Sequence, residues 1–377
     1  MRASPRADAQ FRARVHTIGR QLRRFRPEIR QAVVALARRH VRLAELSVSF
    51  PALLAALAWP RHGFDPRAVV AGAIAGAPLD ALAAQARVPL WLRRMEPALV
   101  IAPLPVLPDS PFIRQRMVNQ FPRHPRHAAL WFEAVSEGGL WAHEGFALWA
   151  AEAYAARRKP TKRRPKFHIR LLALWAWYSE QPGTRGHALI ETPWQPQISF
   201  DGACKAALTW RDNLDLEFYL GTQGARDPWH APAHIDGYDF VPLTGADAVA
   251  DEARAMDNCL RGYGEAVAQI YSRLWSVRKD GTRVATLEMS RDGADPRPSI
   301  RELCLKRNTP APRELWLTVY KWLDGQGTKL FDEPAPDCTA PPGRAAWQAL
   351  WKPYWHAKGR IPPFLPLVPN RDTLFDL

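Results

Sequence analysis

The stretch from Met256 to Asn308 holds the side chains whose types and spacing could do chemistry. Cys259 could act as a thiolate nucleophile, with Tyr263 four residues on, or Glu288 further along, assisting it. Asn258, Thr286, Cys304 and Asn308 would complete a polar cluster around that trio. Two features weigh against a thiol-dependent enzyme. The helical pattern puts Cys259 at a helix C-terminus marked by Gly262, where the helix dipole disfavours a thiolate. The segment also contains no His to serve as base. A small Cys packed against a sheet is the commoner fate of such a residue.

These side chains need a hairpin to position them. Asp280-Gly281 supplies the positive φ angles of a type I′ turn, and its flanks are rich in β-branched and aromatic residues. Before the turn, alternation puts Tyr271, Arg273, Trp275 and Val277 on one face and Ser272, Leu274, Ser276 and Arg278 on the other. After it, Val284, Thr286 and Glu288 alternate with Arg283, Ala285, Leu287 and Met289. If the face carrying Glu288 is covered, its carboxylate needs a partner, and Arg273, Arg278 and Arg301 are the candidates. A third strand carries Cys304 towards Asn308. About three strands are expected in all.

The rest of the chain reads as helices and proline-rich connections. Residues 28–46 show an amphipathic stripe (Ile29, Val33, Leu36, His40, Leu43, Leu46) and predict one helix. Shorter helices are expected over 51–58 and 66–75. Residues 78–95 read as two short helices around Val88-Pro89, a helix-turn-helix spacing whose second member ends in Arg93 and Arg94, with an ordinary helical hairpin as the blander reading. Helical periodicity returns at 130–135, 144–157, 167–180 and about 200–220. Thr244-x-x-Asp247 resembles a capping box opening the helix before Cys259. A helix over 313–323 and a short piece around Trp347 and Trp351, ended by Pro353, close the pattern.

The chain has 377 residues and a formal net charge of +15, and the charge is localised. Residues 1–45 carry twelve arginines against Asp8, Glu28 and Glu45, while residues 157–170 add eight basic side chains and no acid, which leaves the remainder about neutral. Blocks of this kind fit a polyanion, DNA or RNA before a membrane. The candidate phosphate contacts are Arg23, Arg24, Arg38, Arg39, Arg157, Arg158, Lys162, Arg163, Arg164 and Lys166; the bland alternative is a solvated basic surface. Sixteen tryptophans and a 47% hydrophobic share exclude a disordered chain. They leave two uses for Trp131, Trp141, Trp149, Trp175 and Trp177, which would either fill a core or dock a partner.

The four cysteines (204, 259, 304, 338) form no CxxC pair, so neither a zinc ribbon nor a disulfide framework is expected, and a cytoplasmic location fits. His143-Glu144 lacks the second His of a zincin motif, its place being taken by Ala147. His230 and His234, with Asp236 and Asp239, could in principle ligate a metal, but Pro232 denies them a shared helix face, and loop histidines that merely hydrogen-bond are commoner. No metal or cofactor is expected. The longest apolar stretches fall short of the roughly 20 residues that span a bilayer.

The run Met256-x-Asn-Cys-Leu-x-x-Tyr263, the strand Val284-Ala-Thr-Leu-Glu288 and the stretch from Ile300 to Asn308 together resemble the PcfJ-like family, named after a protein of a conjugative plasmid. The match covers residues 244–325, and a looser version reaches back to 187. Asn258 stands where many relatives have His, which weakens any Cys–His pairing. The resemblance implies a mobile-element or DNA-transfer context and carries no mechanism with it. We therefore expect an α+β protein: a basic, mainly helical region over 1–160, an α+β module over 167–330 with helices on a small antiparallel sheet containing a hairpin, and a Pro-rich tail over 331–377. A nucleic-acid-associated accessory role is the leading expectation, ahead of a Cys259-centred enzyme or a Trp-rich interaction scaffold.

Overall fold

Proline accounts for much of the helical outline. It lacks the N–H that the first turn of a helix leaves unused, so it is well tolerated at a helix start. The chain runs through α1 (Pro5–Arg24), α2 (Pro27–Ala37), α3 (Val41–Ser49), α4 (Pro51–Ala58), α5 (Pro66–Ala75), α6 (Leu79–Ala86) and α7 (Pro111–Arg116). Prolines occupy the opening turn of α2, α4, α5 and α7. Then follow α8 (Ala128–Trp141), α9 (Glu144–Ala155), α10 (Ile169–Ser179), α11 (Arg185–Ala188) and α12 (Phe200–Leu216). The computed structural model describes residues 5–61, 63–156, 169–221, 227–269, 271–291, 297–327 and 344–369.

Residues 1–177 and 194–202 form one compact unit, and residues 178–193 and 203–377 form another. In the first, α4 is buried all round from Pro51 to Leu57, as an unbroken apolar helix must be. Trp131, Trp141, Trp149, Trp175 and Trp177 are all buried, so they fill a core and offer no docking surface. The single helix expected over 28–46 is two. His40 adopts an extended conformation (φ −161°), and its Nδ1 accepts from the Arg42 N–H, so it caps α3 instead of continuing the stripe. The helix-turn-helix expectation fails as well. The segment after Pro89 is a 3-10 turn, Leu90–Arg94, with Trp91 and Leu92 buried, and it is too short to read a groove.

In the second unit the sheet is larger than the sequence implied. Six strands form one antiparallel meander in chain order: β1 (Ala233–Ile235), β2 (Tyr238–Pro242), β3 (Ser272–Lys279), β4 (Thr282–Arg291), β5 (Pro298–Leu305) and β6 (Thr309–Pro310). Asp280-Gly281 has the expected positive φ pair (51° and 74°), and Asp236-Gly237 repeats it (52° and 80°), making β1–β2 a second hairpin. One face packs Phe240, Trp275, Val277, Ala285, Leu287 and Met289 under Leu315, Val319 and Trp322. Those last three belong to the helix after β6, Arg313–Asp324.

Two helices precede that one in the chain, α13 (Ala246–Met256) and α14 (Gly264–Ala268), so it is α15. Val249 and Ala253 of α13, Val267 of α14 and Leu274 of β3 pack together on the opposite face. The capping box is not formed, because Gly245 is the N-cap residue of α13 and makes no side-chain cap bond. The last helix, α16 (Arg344–Lys358), continues past Pro353. Trp347, Leu350, Trp351, Tyr354 and Trp355 are buried on both sides of that proline, and their packing outweighs a local penalty of about 3 kcal/mol.

Candidate functional site

The signature residues hang on the α13 side of the sheet, and their placement starts with how α13 ends. Asp257 takes the left-handed conformation (φ 50°, ψ 51°) and stops the helix at Met256. Cys259 is then the residue in front of a 3-10 turn, Leu260–Tyr263, that leads into α14. It is therefore not carried by a helix C-terminus as expected, but heads the turn that follows α13. Arg261 anchors the turn, donating from Nε to Asn213 Oδ1 (3.0 Å) and from Nη2 to Glu191 Oε1 (2.7 Å). Burial by itself pushes Glu191 up, but the Arg254 and Arg261 guanidiniums hold it below the usual carboxylate range.

Three sets of contacts follow. Asn258 Nδ2 donates to Thr286 Oγ1 (3.3 Å), and Thr286 Oγ1 donates to Glu252 Oε1 (3.3 Å). Glu252, on α13, has no exposed surface, and Arg283 Nε meets its other oxygen at 2.8 Å. In the second set, Tyr263 Oη donates to Glu288 Oε2 (3.1 Å) and Ser272 Oγ to Oε1 (2.9 Å), with Arg301 Nη1 3.6 Å away. In the third, Asn308 Nδ2 lies 3.7 Å from the exposed Cys259 Sγ. So the fold pairs Asn258 with Thr286, Tyr263 with Glu288, and Cys259 with Asn308, and no hydrogen bond among the described residues joins Cys259 to Glu288.

Two β-bulges create this arrangement. Val277 pairs with Ala285 and Arg278 with Arg283, so Val284 is an extra residue in β4. The extra residue shifts the alternation. Val284 joins the apolar cluster, and Arg283 turns to the opposite side, where Glu252 waits. The alternation expected for these two residues is therefore corrected, while Thr286 and Glu288 do share the polar face. Glu288 pairs with Glu302 and Met289 with Ile300, so Arg301 is the extra residue in β5 and can reach Glu288. Of the other candidate partners, Arg278 donates to Ser276 Oγ (3.1 Å), and Arg273 donates to the Val267 and Ser272 carbonyls and lies over Trp229.

The electrostatics bear on two of these groups, Tyr263 and Cys304. Burial, followed by the Glu288 charge, pushes the Tyr263 phenol up to about 12, so it stays protonated and donates a hydrogen bond to the carboxylate. Burial and the Glu302 carboxylate push the Cys304 thiol up to about 11. Glu252 was missed at the sequence level although it had left a signal, since it sits on the buried stripe Val249, Glu252, Ala253, Met256. No cluster of His, Cys, Asp or Glu that could hold a metal occurs among the described residues. His234 meets Asp239 across the β1–β2 hairpin (2.7 Å), while His230 lies edge-on to Trp322.

The described basic candidates lie in the other unit. Arg23, Arg24, Arg38 and Arg39 are exposed. Arg24 pairs with Glu96 (2.5 Å), whereas Arg23, Arg38 and Arg39 have no acidic partner among the described residues. Arg157, Arg158, Lys162, Arg163, Arg164 and Lys166 lie outside the described residues. No described helix is long and apolar enough to cross a membrane. No family model, no curated protein and no solved structure matches the chain.

Proposed function

We propose that this is a nucleic-acid-associated protein, whose helical unit holds phosphates through arginines and whose sheet unit is a structural body rather than a reaction centre. The observation that carries this reading is the set of exposed arginines at both ends of α2. Arg23 lies in the last turn of α1, which leads into α2, and Arg38 and Arg39 lie just after α2, none with an acidic partner among the described residues. α2 alone is about 16 Å long at 1.5 Å per residue, longer than the spacing of neighbouring phosphates along a polymer. Cations held in no ion pair are the ones that gain by displacing counterions from a polyanion. The interlocked hydrogen bonds of Glu252 and Glu288 support the structural role of the sheet unit. The PcfJ-like resemblance would place such a protein in DNA transfer or on a mobile element.

The test is fluorescence anisotropy of labelled DNA and RNA with the full chain across about 50 to 200 mM salt. Binding should weaken steeply with salt. The triple variant R23A/R38A/R39A should reduce the log–log slope by roughly 0.9 for each duplex phosphate it no longer neutralises. Salt-independent retention, or no retention at all, would refute the proposal.

A further inference from the structure

The 3-10 turn Leu90–Arg94 leaves its two arginines bordering open space. One cavity of about 360 Å³ is lined by Trp91, Arg93, Arg94, Arg114, Gln115 and Asn119, among others. A second, of about 260 Å³, is lined by Arg94, Glu96, Phe121 and Arg123, among others. Arg94 borders both, so the two depressions adjoin. Between Leu90 and Arg126 six arginines stand against two acids. Both acids are engaged: Asp109 accepts from Arg114 Nε (3.0 Å) and Nη2 (2.9 Å), and Glu96 accepts from Arg24 (2.5 Å). Arg94 and Arg123 are exposed and have no acidic partner among the described residues. Phe121 is half-buried and held stiffly, stacked on Trp91 (6.1 Å between centroids, 23°) and edge-on to Trp131.

We propose that these adjoining depressions bind single-stranded nucleic acid, with phosphates at Arg94 and Arg123 and an unstacked base against Phe121. The proposal rests on the nucleic-acid reading above and adds a site and a strandedness to it. A duplex keeps its bases stacked inside a convex cylinder and cannot offer them to a concave wall, whereas a single strand can splay a base onto an aromatic ring while arginines track its backbone. The Gln115 and Asn119 amides can donate to and accept from a base edge.

The experiment titrates the full chain into labelled oligo(dT) and oligo(U) of about 12 nucleotides, a length within the usual single-strand site size, and into a duplex of equal length. Arg94→Glu with Arg123→Glu, both at exposed positions, should weaken single-strand binding at least about tenfold and lower its salt slope by roughly 1.4, at about 0.7 per phosphate. Duplex binding should change much less. Phe121→Leu, which retains an apolar side chain beside Trp91, should cost about fivefold or more by removing the stacking ring. An unchanged single-strand affinity in R94E/R123E, alongside weakened binding in R23A/R38A/R39A, would overturn the site and leave the wider reading standing. Equal weakening of duplex and single strand would overturn the strandedness. Failure of the parent protein to bind any of the three would overturn both.

Discussion

Replacing Arg283 with Met removes the cation that compensates a carboxylate with no exposed surface. Glu252 is fully buried, and the Arg283 side chain is 34% exposed. Breaking a buried pair from one side typically costs about 3–5 kcal/mol, because the remaining charge is stranded. Water reaching the arginine's side of the pair reduces the loss here, and we expect about 2–3 kcal/mol. For a unit of this size each kcal/mol moves the melting temperature by about 2–4 °C, so the transition should fall by about 4–12 °C. Calorimetry measures the shift, and hydrogen exchange at the β3–β4 amides assigns it to the sheet unit. Adding Glu252→Gln removes the stranded charge and leaves an amide oxygen that can still accept from Thr286 Oγ1. The double variant should therefore recover at least half of the loss. A shift under about 1 °C for Arg283→Met, or a double variant no better than the single one, would show that the bulge at Val284 does not serve this pair.

Three further expectations follow from the same structure. Burial, then the charges of Asp212 and Glu265, pushes Asp215 up to about 7. The folded state therefore holds a proton that the unfolded chain releases near pH 4, and this contribution to stability is full below that value and lost as the pH rises through 7. Asp215→Asn should then stabilise the fold more at pH 8 than at pH 5, by a difference of about 1–3 kcal/mol in unfolding free energy from denaturant melts; a pH-independent effect would contradict the assignment. Gly76 ends α5 at φ 87°, a left-handed conformation that strains any residue with a Cβ, so Gly76→Ala should destabilise the helical unit by about 1–2 kcal/mol in thermal melts, the exposed Arg42 guanidinium swinging aside. On brief treatment of the native protein with iodoacetamide, peptide mass spectrometry should find the exposed Cys259 modified before Cys304, whose thiol is pushed up to about 11. An unreactive Cys259 would end the thiol-enzyme alternative, and faster labelling of Cys304 would refute the electrostatic account of this face.

Much of the architecture was legible because the features that set it are local. Asp280-Gly281 needs no distant partner to favour a type I′ turn, and Asp236-Gly237 carried the same signal, unused, inside a stretch that reads as a loop. The helices at 51–58 and 66–75 were legible from apolar runs opened by proline. What failed were the positions where a distant contact outweighs a local preference. Pro353 sits inside α16 because aromatic packing holds the helix on both sides of it. His40 leaves its stripe because capping α3 satisfies a backbone N–H that the stripe would not. The site was half legible, since alternation identified the face that carries Thr286 and Glu288.

By itself the sequence determined where the positive charge is concentrated, which strands have a polar face, and that a carboxylate on that face must find a partner. Only the tertiary structure decided which partner. Arg283 and Arg301 reach Glu252 and Glu288 because each lies at a register shift, and such a shift exists only between two paired strands. No single strand contains the information that its neighbour is one residue out of step. The same holds for Cys259, which follows the end of α13 and heads the next 3-10 turn, and for Arg93 and Arg94, which border a cavity from a 3-10 turn whose Trp91 and Leu92 are buried.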